Sequence, residues 1–116
     1  MVVAELRASQ ARAMAERRAA VAHGVRFPPG AGVYQVVVRE GSRLLVSRDR
    51  PLPAGVRITY ARFGGAVPDE ALFHGRSLFG APSGGGTVTL AAGRMRLCVR
   101  LLPATGRIRV TTIGCP

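Results

Sequence analysis

Four arginines near the C-terminus have the chemistry and the spacing to bind phosphate groups. In the segments MRLCVRLL and RIRV they alternate with other residues, at positions Arg96, Arg100, Arg107 and Arg109. Alternate side chains of a strand share a face, so Arg107 and Arg109 are expected roughly 6.5 to 7 Å apart. This is comparable to the spacing of phosphates along a nucleic-acid strand, and such arginines contact phosphates without reading base sequence. The alternative is a solvated sheet face in a very basic protein.

The net charge separately favours an anionic partner. The 116 residues contain 17 arginines and six carboxylates, which gives a net charge of +11 at pH 7 and a pI near 11.7. A charge this extreme in a small domain is typical of proteins that bind polyanions. Lysine is absent, a bias that a GC-rich genome would also produce, so only the net charge supports this interpretation.

No arrangement of catalytic or metal-binding residues stands out. Asp69 and Glu70 are adjacent, so on an extended chain they point to opposite sides and read as turn residues. His23 and His74 have no cysteine, histidine or carboxylate at the spacing of metal ligands. The glycine run at 83–87 lacks the Gly-Lys-Ser/Thr ending of a phosphate loop and precedes a strand. We therefore expect no enzymatic activity, no metal and no cofactor.

The only two cysteines, Cys98 and Cys115, allow one intramolecular disulfide. If the turn at 103–106 joins two strands in a hairpin, Cys98 faces Thr111, and Cys115 lies four residues further along. A disulfide then requires the C-terminal tail to fold back, because the two Cα atoms must come within about 7 Å. Two free thiols are the alternative.

The N-terminal region is predicted to be one helix. Residues 3–23 contain no proline or glycine and are dense in good helix formers, and Gly24 is a natural residue to follow the helix. The helix arginines are expected to face solvent. A narrow apolar stripe is predicted at Leu6, Ala13, Met14, Ala20 and Val21.

About seven short strands are predicted after this helix. Alternating apolar residues and flanking turn signals place them at 33–39, 43–48, 56–63, 71–74, 87–91, 95–102 and 107–113. The last three form an antiparallel meander, and Val56, Ile58 and Tyr60 are expected on one face of the strand at 56–63. With few aromatic residues, the core is expected to consist of Val, Leu, Ile and Ala. The fold class is α+β, with one helix packed against antiparallel sheets in a single domain.

The chain as given is expected to be soluble. It contains no run of roughly 18 apolar residues that could cross a bilayer. The first 21 residues lack the apolar region of a secretory signal peptide.

Two segments carry a resemblance to a known family. Residues 79–90 read FGAPSGGGTVTL and residues 104–110 read ATGRIRV, and both follow an Arg- and Ala-rich helix that ends near a Gly-Val-Arg sequence. In this combination the chain resembles the soluble domain of the GspH/FimT family of minor pilins and pseudopilins. The likeness covers most of the chain and is clearest from Gly75 onward.

The resemblance implies a pilin fold and a structural, non-enzymatic role in a type IV pilus or a type II secretion pseudopilus. Residues 1–24 would be the C-terminal part of the pilin helix, and residues 25–116 the β-rich headpiece, together one domain. The partners would be other pilins, and also the inner membrane, reached through an apolar helical segment that this sequence does not contain. We expect the sequence to be the soluble part of a longer pilin of the cell envelope or cell surface.

Some members of the family that resemble competence pilins bind DNA through a Gly-Arg-x-Arg motif, which Gly106 to Arg109 match position by position. The resemblance thus implies double-stranded DNA as a partner, with Arg107 and Arg109 as contacts and with Arg96 and Arg100 extending the patch. The alternative is a purely structural secretion pseudopilin that does not bind DNA. A free-standing nucleic-acid-binding β domain is a third hypothesis, but it would need more stacking aromatic residues than the chain offers.

Overall fold

A computed structural model of the protein describes residues 2–65, 67–74, 85–103 and 105–116. These residues form one N-terminal helix and eight strands in two antiparallel sheets, which confirms the α+β class. The glycine-rich segment at 80–84 lies outside the described residues. The elements are α1 (Val2–Ala15), β1 (Val21–Arg26), β2 (Val33–Glu40), β3 (Arg43–Pro51), β4 (Val56–Phe63), β5 (Glu70–His74), β6 (Gly86–Ala92), β7 (Met95–Leu101) and β8 (Ile108–Thr111).

The helix ends at Ala15, so the prediction of a helix to His23 is wrong beyond that residue. The Glu16 carboxylate accepts hydrogen bonds from the backbone N and the Nε of Arg18, at 3.1 and 3.0 Å, and lies 2.8 Å from Nε2 of His23. These contacts turn the chain and stabilise a non-helical conformation. His23 then lies in β1, and the predicted boundary at residue 24 falls inside that strand.

Sheet A has the strand order β3-β2-β1-β5, and α1 packs on it over β1 and β5. The helix buries Val2, Leu6, Ser9 and Ala13. The predicted stripe is therefore confirmed at Leu6 and Ala13. It is wrong at Met14 and Ala20, which are exposed, and at Val21, which is a buried residue of β1.

Gly24 is an interior residue of β1 and does not terminate the helix as predicted. A Cβ at this position would collide with the carbonyl oxygen of Ala71 on β5. The Ser9 hydroxyl of α1 donates a 3.4 Å hydrogen bond to the Gly24 carbonyl. Glycine is therefore required here by the close approach of the neighbouring strand.

Sheet B has the order β4-β6-β7-β8, so its last three strands form the predicted meander, and Cys98 faces Thr111 as expected. A register shift between Ile58 and Tyr60 marks a bulge in β4. A bulge inserts one residue and so reverses which side chains face the core. Tyr60 consequently points outward beside Thr89, so the prediction that it shares a face with Ile58 is wrong.

One core lies between the helix and the two sheets. Its centre is the fully buried Phe27, whose ring centroid lies 6.3 Å from that of Tyr34 and 5.9 Å from that of Phe63. The core is thus partly aromatic, and not only aliphatic as expected from composition. Gly30 N donates to the Ile58 carbonyl at 2.7 Å and Ile58 N donates to the Ala31 carbonyl at 2.9 Å, which ties the loop after β1 to sheet B.

The described part of the chain contains no helix with the length and apolar character needed to cross a membrane.

Candidate nucleic-acid interface

The register of sheet B places three arginines in one line across its outer face. Arg62 of β4 lies opposite Thr87, Thr87 lies opposite Arg100 of β7, and Arg100 lies opposite Arg109 of β8. Directly opposed residues of antiparallel strands point to the same face. We call Arg62, Arg100 and Arg109 the arginine row. With strands about 4.8 Å apart, the backbone positions of the row span about 14 Å.

Three more arginines share this outer face. Arg107 directly precedes β8 and its carbonyl accepts a hydrogen bond from Leu102 N–H, so extending the alternation by one residue places it on the same side as Arg109. Towards the other end of the sheet, Arg57 and Arg96 flank Ala91 from the two neighbouring strands. The arginine face, as we define it, consists of Arg57, Arg62, Arg96, Arg100, Arg107 and Arg109. All are exposed except Arg100, which is half-buried.

The C-terminal tail folds back over the middle of the arginine face. Cys98, which points outward from β7, is joined by a disulfide to Cys115, with the two Cα atoms 5.5 Å apart. Cys98 and its cross-strand neighbour Thr89 are fully buried although both lie on the outer face. Nη2 of Arg100 donates a 2.9 Å hydrogen bond to the carbonyl of Gly114 and so holds the tail at a second point.

The predicted arginines therefore fall into two groups. Arg100, Arg107 and Arg109 lie together at one end of the face. Arg96 shares the face, but it lies four residues from Arg100 along β7, beyond the disulfide at Cys98. Sequence reasoning missed Arg62, because uninterrupted alternation from Ile58 would have placed it inward; the bulge reverses this.

The charge of the protein is unevenly distributed between its two sheets. The described residues 56–63, 85–103 and 105–116, which form sheet B and its connections, carry seven arginines and no carboxylate. The helix, sheet A and their connections carry nine arginines and all six carboxylates, and Arg76 lies outside the described residues. The excess positive charge therefore belongs mainly to sheet B, at +7, against +3 for the helix and sheet A.

Among the described residues, the ion pairs between arginines and carboxylates lie on the helix, on sheet A and in their connections. These ion pairs are Arg12–Glu5, Arg18–Glu16, Arg26–Asp69, Arg39–Glu70 and Arg50–Glu5. Within the described residues, no ion pair joins an arginine of the arginine face to a carboxylate. The exposed guanidinium groups of this face are thus available to an external anion, whereas Nη2 of Arg100 is already bonded to the Gly114 carbonyl. The bidentate fork of arginine matches a phosphate group.

Glu70 has a structural role and is not a turn residue as predicted. It begins β5, its side chain is fully buried, and it accepts two hydrogen bonds from Nε and Nη2 of Arg39, at 2.6 and 2.7 Å. The bound carboxylate raises the pKa of Arg39 above its ordinary value. This buried pair lies on sheet A, whereas no described carboxylate pairs with an arginine of the arginine face.

A tight turn fixes the backbone of Arg107, the residue before β8. Gly106 adopts a φ of +66°, a left-handed conformation that favours glycine. Its N–H donates to the Leu102 carbonyl at 2.9 Å, and Leu102 N–H donates to the Arg107 carbonyl at 3.0 Å. The Gly-Arg-Ile-Arg sequence thus combines a turn residue with two arginines in strand alternation.

Among the described residues, no group of three or more His, Cys, Asp or Glu side chains could hold a metal ion. The arrangement on sheet B is suited to binding an extended anion. Comparison of the chain with protein families, curated proteins and solved structures finds no significant match.

Proposed function

We propose that this chain is the non-enzymatic headpiece of a minor pilin or pseudopilin, and that it binds double-stranded DNA through the arginine face. The pilin part is supported by the sequence motifs and by an architecture of one N-terminal helix packed against antiparallel sheets. The DNA part is supported by the arrangement of charge on sheet B.

The observation that carries the DNA proposal is the arginine row. Arg62, Arg100 and Arg109 are aligned across four strands, with Arg107 beside them, on a sheet without a carboxylate. Three arginines whose backbone positions span about 14 Å can contact several phosphates at once. Such contacts bind the backbone and carry no base sequence information, so we expect affinity for any duplex.

The test is a titration of duplex DNA at several salt concentrations, comparing the native chain with Arg107→Ala/Arg109→Ala. Each lost phosphate contact reduces the steepness of the plot of log K against log salt by about 0.9, so the slope of the double variant should be shallower by nearly 2. The matched control is Arg43→Ala/Arg48→Ala, which removes the same charge from the exposed strand β3 of sheet A. This control should change the slope far less.

A third variant tests the row itself. Arg62 is outside the Gly-Arg-x-Arg motif and joins Arg109 only through the register of the folded sheet. Arg62→Ala should therefore weaken DNA binding and lower the salt slope by about 0.9. If the sheet A control loses as much DNA affinity and salt dependence as the arginine-face variants, the row is not a specific site. The binding would then be diffuse attraction by the net charge.

A purely structural pseudopilin is the second candidate, and the edge strand β3 favours it. All nine residues of β3 are exposed, including Leu44, Leu45 and Val46, and only β2 pairs with it among the described strands. An exposed edge strand with apolar residues is typical of a surface that contacts another protein chain. Absence of DNA binding by the native chain at low salt would leave this candidate as the better one.

A further inference from the structure

We propose that the polar groove between α1 and the start of β8 holds one phosphate of the DNA backbone. This inference rests on the proposed DNA binding, and it extends the binding surface from sheet B over its edge strand onto the helix. It adds Arg7, a residue that the sequence indicated only as part of a solvated helix face.

The groove has a volume of about 370 Å³ and is lined by Arg7, Gln10, Thr105, Gly106, Arg107 and Ile108. It brings together two arginines from opposite ends of the chain, Arg7 and Arg107, and no carboxylate lines it. One water molecule needs about 10 to 15 Å³ of such a volume, so the open groove has room for a phosphate with part of its hydration shell.

Both arginines are attached to rigid backbone. Arg7 follows Leu6, and both Leu6 and Ser9 are fully buried against the sheet, so the helix position of Arg7 is fixed although its side chain is exposed. The backbone of Arg107 is held by the turn at Gly106 and by a 3.3 Å hydrogen bond from its N–H to the Thr105 hydroxyl oxygen. Little backbone ordering is therefore needed when an anion binds between them.

The groove continues the arginine row. Arg107 lines the groove, and it is also two residues from Arg109, the last member of the row on the edge strand β8. A DNA strand that contacts the row and continues past this edge reaches Arg107 next, and then Arg7. Arginine is suited to this position because its planar fork can donate two hydrogen bonds to one phosphate.

The first experiment measures duplex DNA binding over a range of salt concentrations for Arg7→Ala and Arg17→Ala. Both arginines are exposed, in the N-terminal segment and outside the described ion pairs, but only Arg7 lines the groove. We expect Arg7→Ala to lower the salt slope by about 0.9 and Arg17→Ala to leave it nearly unchanged. Circular dichroism of both variants verifies that the fold is intact.

The second experiment titrates inorganic phosphate into the isotope-labelled native chain at low salt. We expect the amide signals of Thr105 and Gly106 to shift, and Arg7→Ala to reduce these shifts. If Arg7→Ala and Arg17→Ala bind DNA equally while Arg107→Ala/Arg109→Ala does not, the groove proposal is overturned and the proposed function stands. If phosphate shifts the groove signals but no duplex binds, the proposed function fails and the groove binds free anions only, which overturns its role towards DNA.

Discussion

Replacing Cys115 with alanine is expected to lower the free energy of unfolding by about 3 kcal/mol. The disulfide closes a loop with a sequence separation of 17 residues, and the chain-entropy relation for such a loop gives about 3 kcal/mol at 25 °C. For a chain of 116 residues the unfolding entropy is about 0.24 kcal/mol/K, so the midpoint of thermal unfolding should fall by about 12 °C.

The assay is urea unfolding followed by circular dichroism, applied to the oxidised native chain, the same chain in reducing agent, and Cys115→Ala. The reduced chain and the variant should lose the same free energy, because both open the same loop. The Cys98 thiol of Cys115→Ala should also react with an alkylating reagent in the folded state, because the hydrogen bond from Arg100 to Gly114 alone holds the covering tail more weakly than the disulfide does. A loss below about 1 kcal/mol in both samples would refute the loop-closure reasoning.

Two further perturbations test sheet A and the end of the helix. Glu70→Gln should lower the free energy of unfolding, measured in urea, by about 3 to 5 kcal/mol, because Arg39, only 13 % exposed, keeps a buried charge without its anion. Arg39→Leu/Glu70→Leu removes both charges and should be more stable than Glu70→Gln; equal stability of the two variants would contradict this reason. The hydrogen bond from the Arg18 side chain, and secondly the one from His23, lower the pKa of Glu16 from 4.5 to about 2. The unfolded chain therefore binds this proton first on acidification, so Glu16 stabilises the fold above pH 4.5 and loses this effect as the pH falls towards 2. Between pH 6 and pH 3 the urea midpoint of Glu16→Gln should fall less than that of the native chain, and equal falls would contradict the assignment.

The strands after residue 33 could be predicted because alternation and turn residues agree along that part of the chain. The strand β1 could not, since residues 16–20 are good helix formers and no breaker separates them from the helix. Propensity differences are below about 1 kcal/mol per residue. Pairing of β1 with both β2 and β5, together with burial of Val21 and Val25, outweighs them.

The candidate site could be predicted only where it lies within neighbouring strands. Arg107 and Arg109 follow from alternation, and their relation to Arg100 follows from the hairpin turn. The outward position of Arg62 depends on a bulge in β4, and no glycine or other turn residue at that place in the strand indicates the bulge. Arg7 depends on where the packing of the helix on sheet A places it relative to β8, a tertiary relation that the pattern of one segment does not contain.

The concentration of charge on sheet B also gives the molecule a preferred orientation before contact. The Debye length at physiological ionic strength is about 8 Å, whereas even the shortest dimension of the protein is 22 Å. An approaching polyanion therefore interacts mainly with the nearer side, and its field exerts a torque that turns the carboxylate-free sheet towards it. Such rotation would reduce the fraction of unproductive encounters, and added salt would abolish this advantage before it abolishes binding itself.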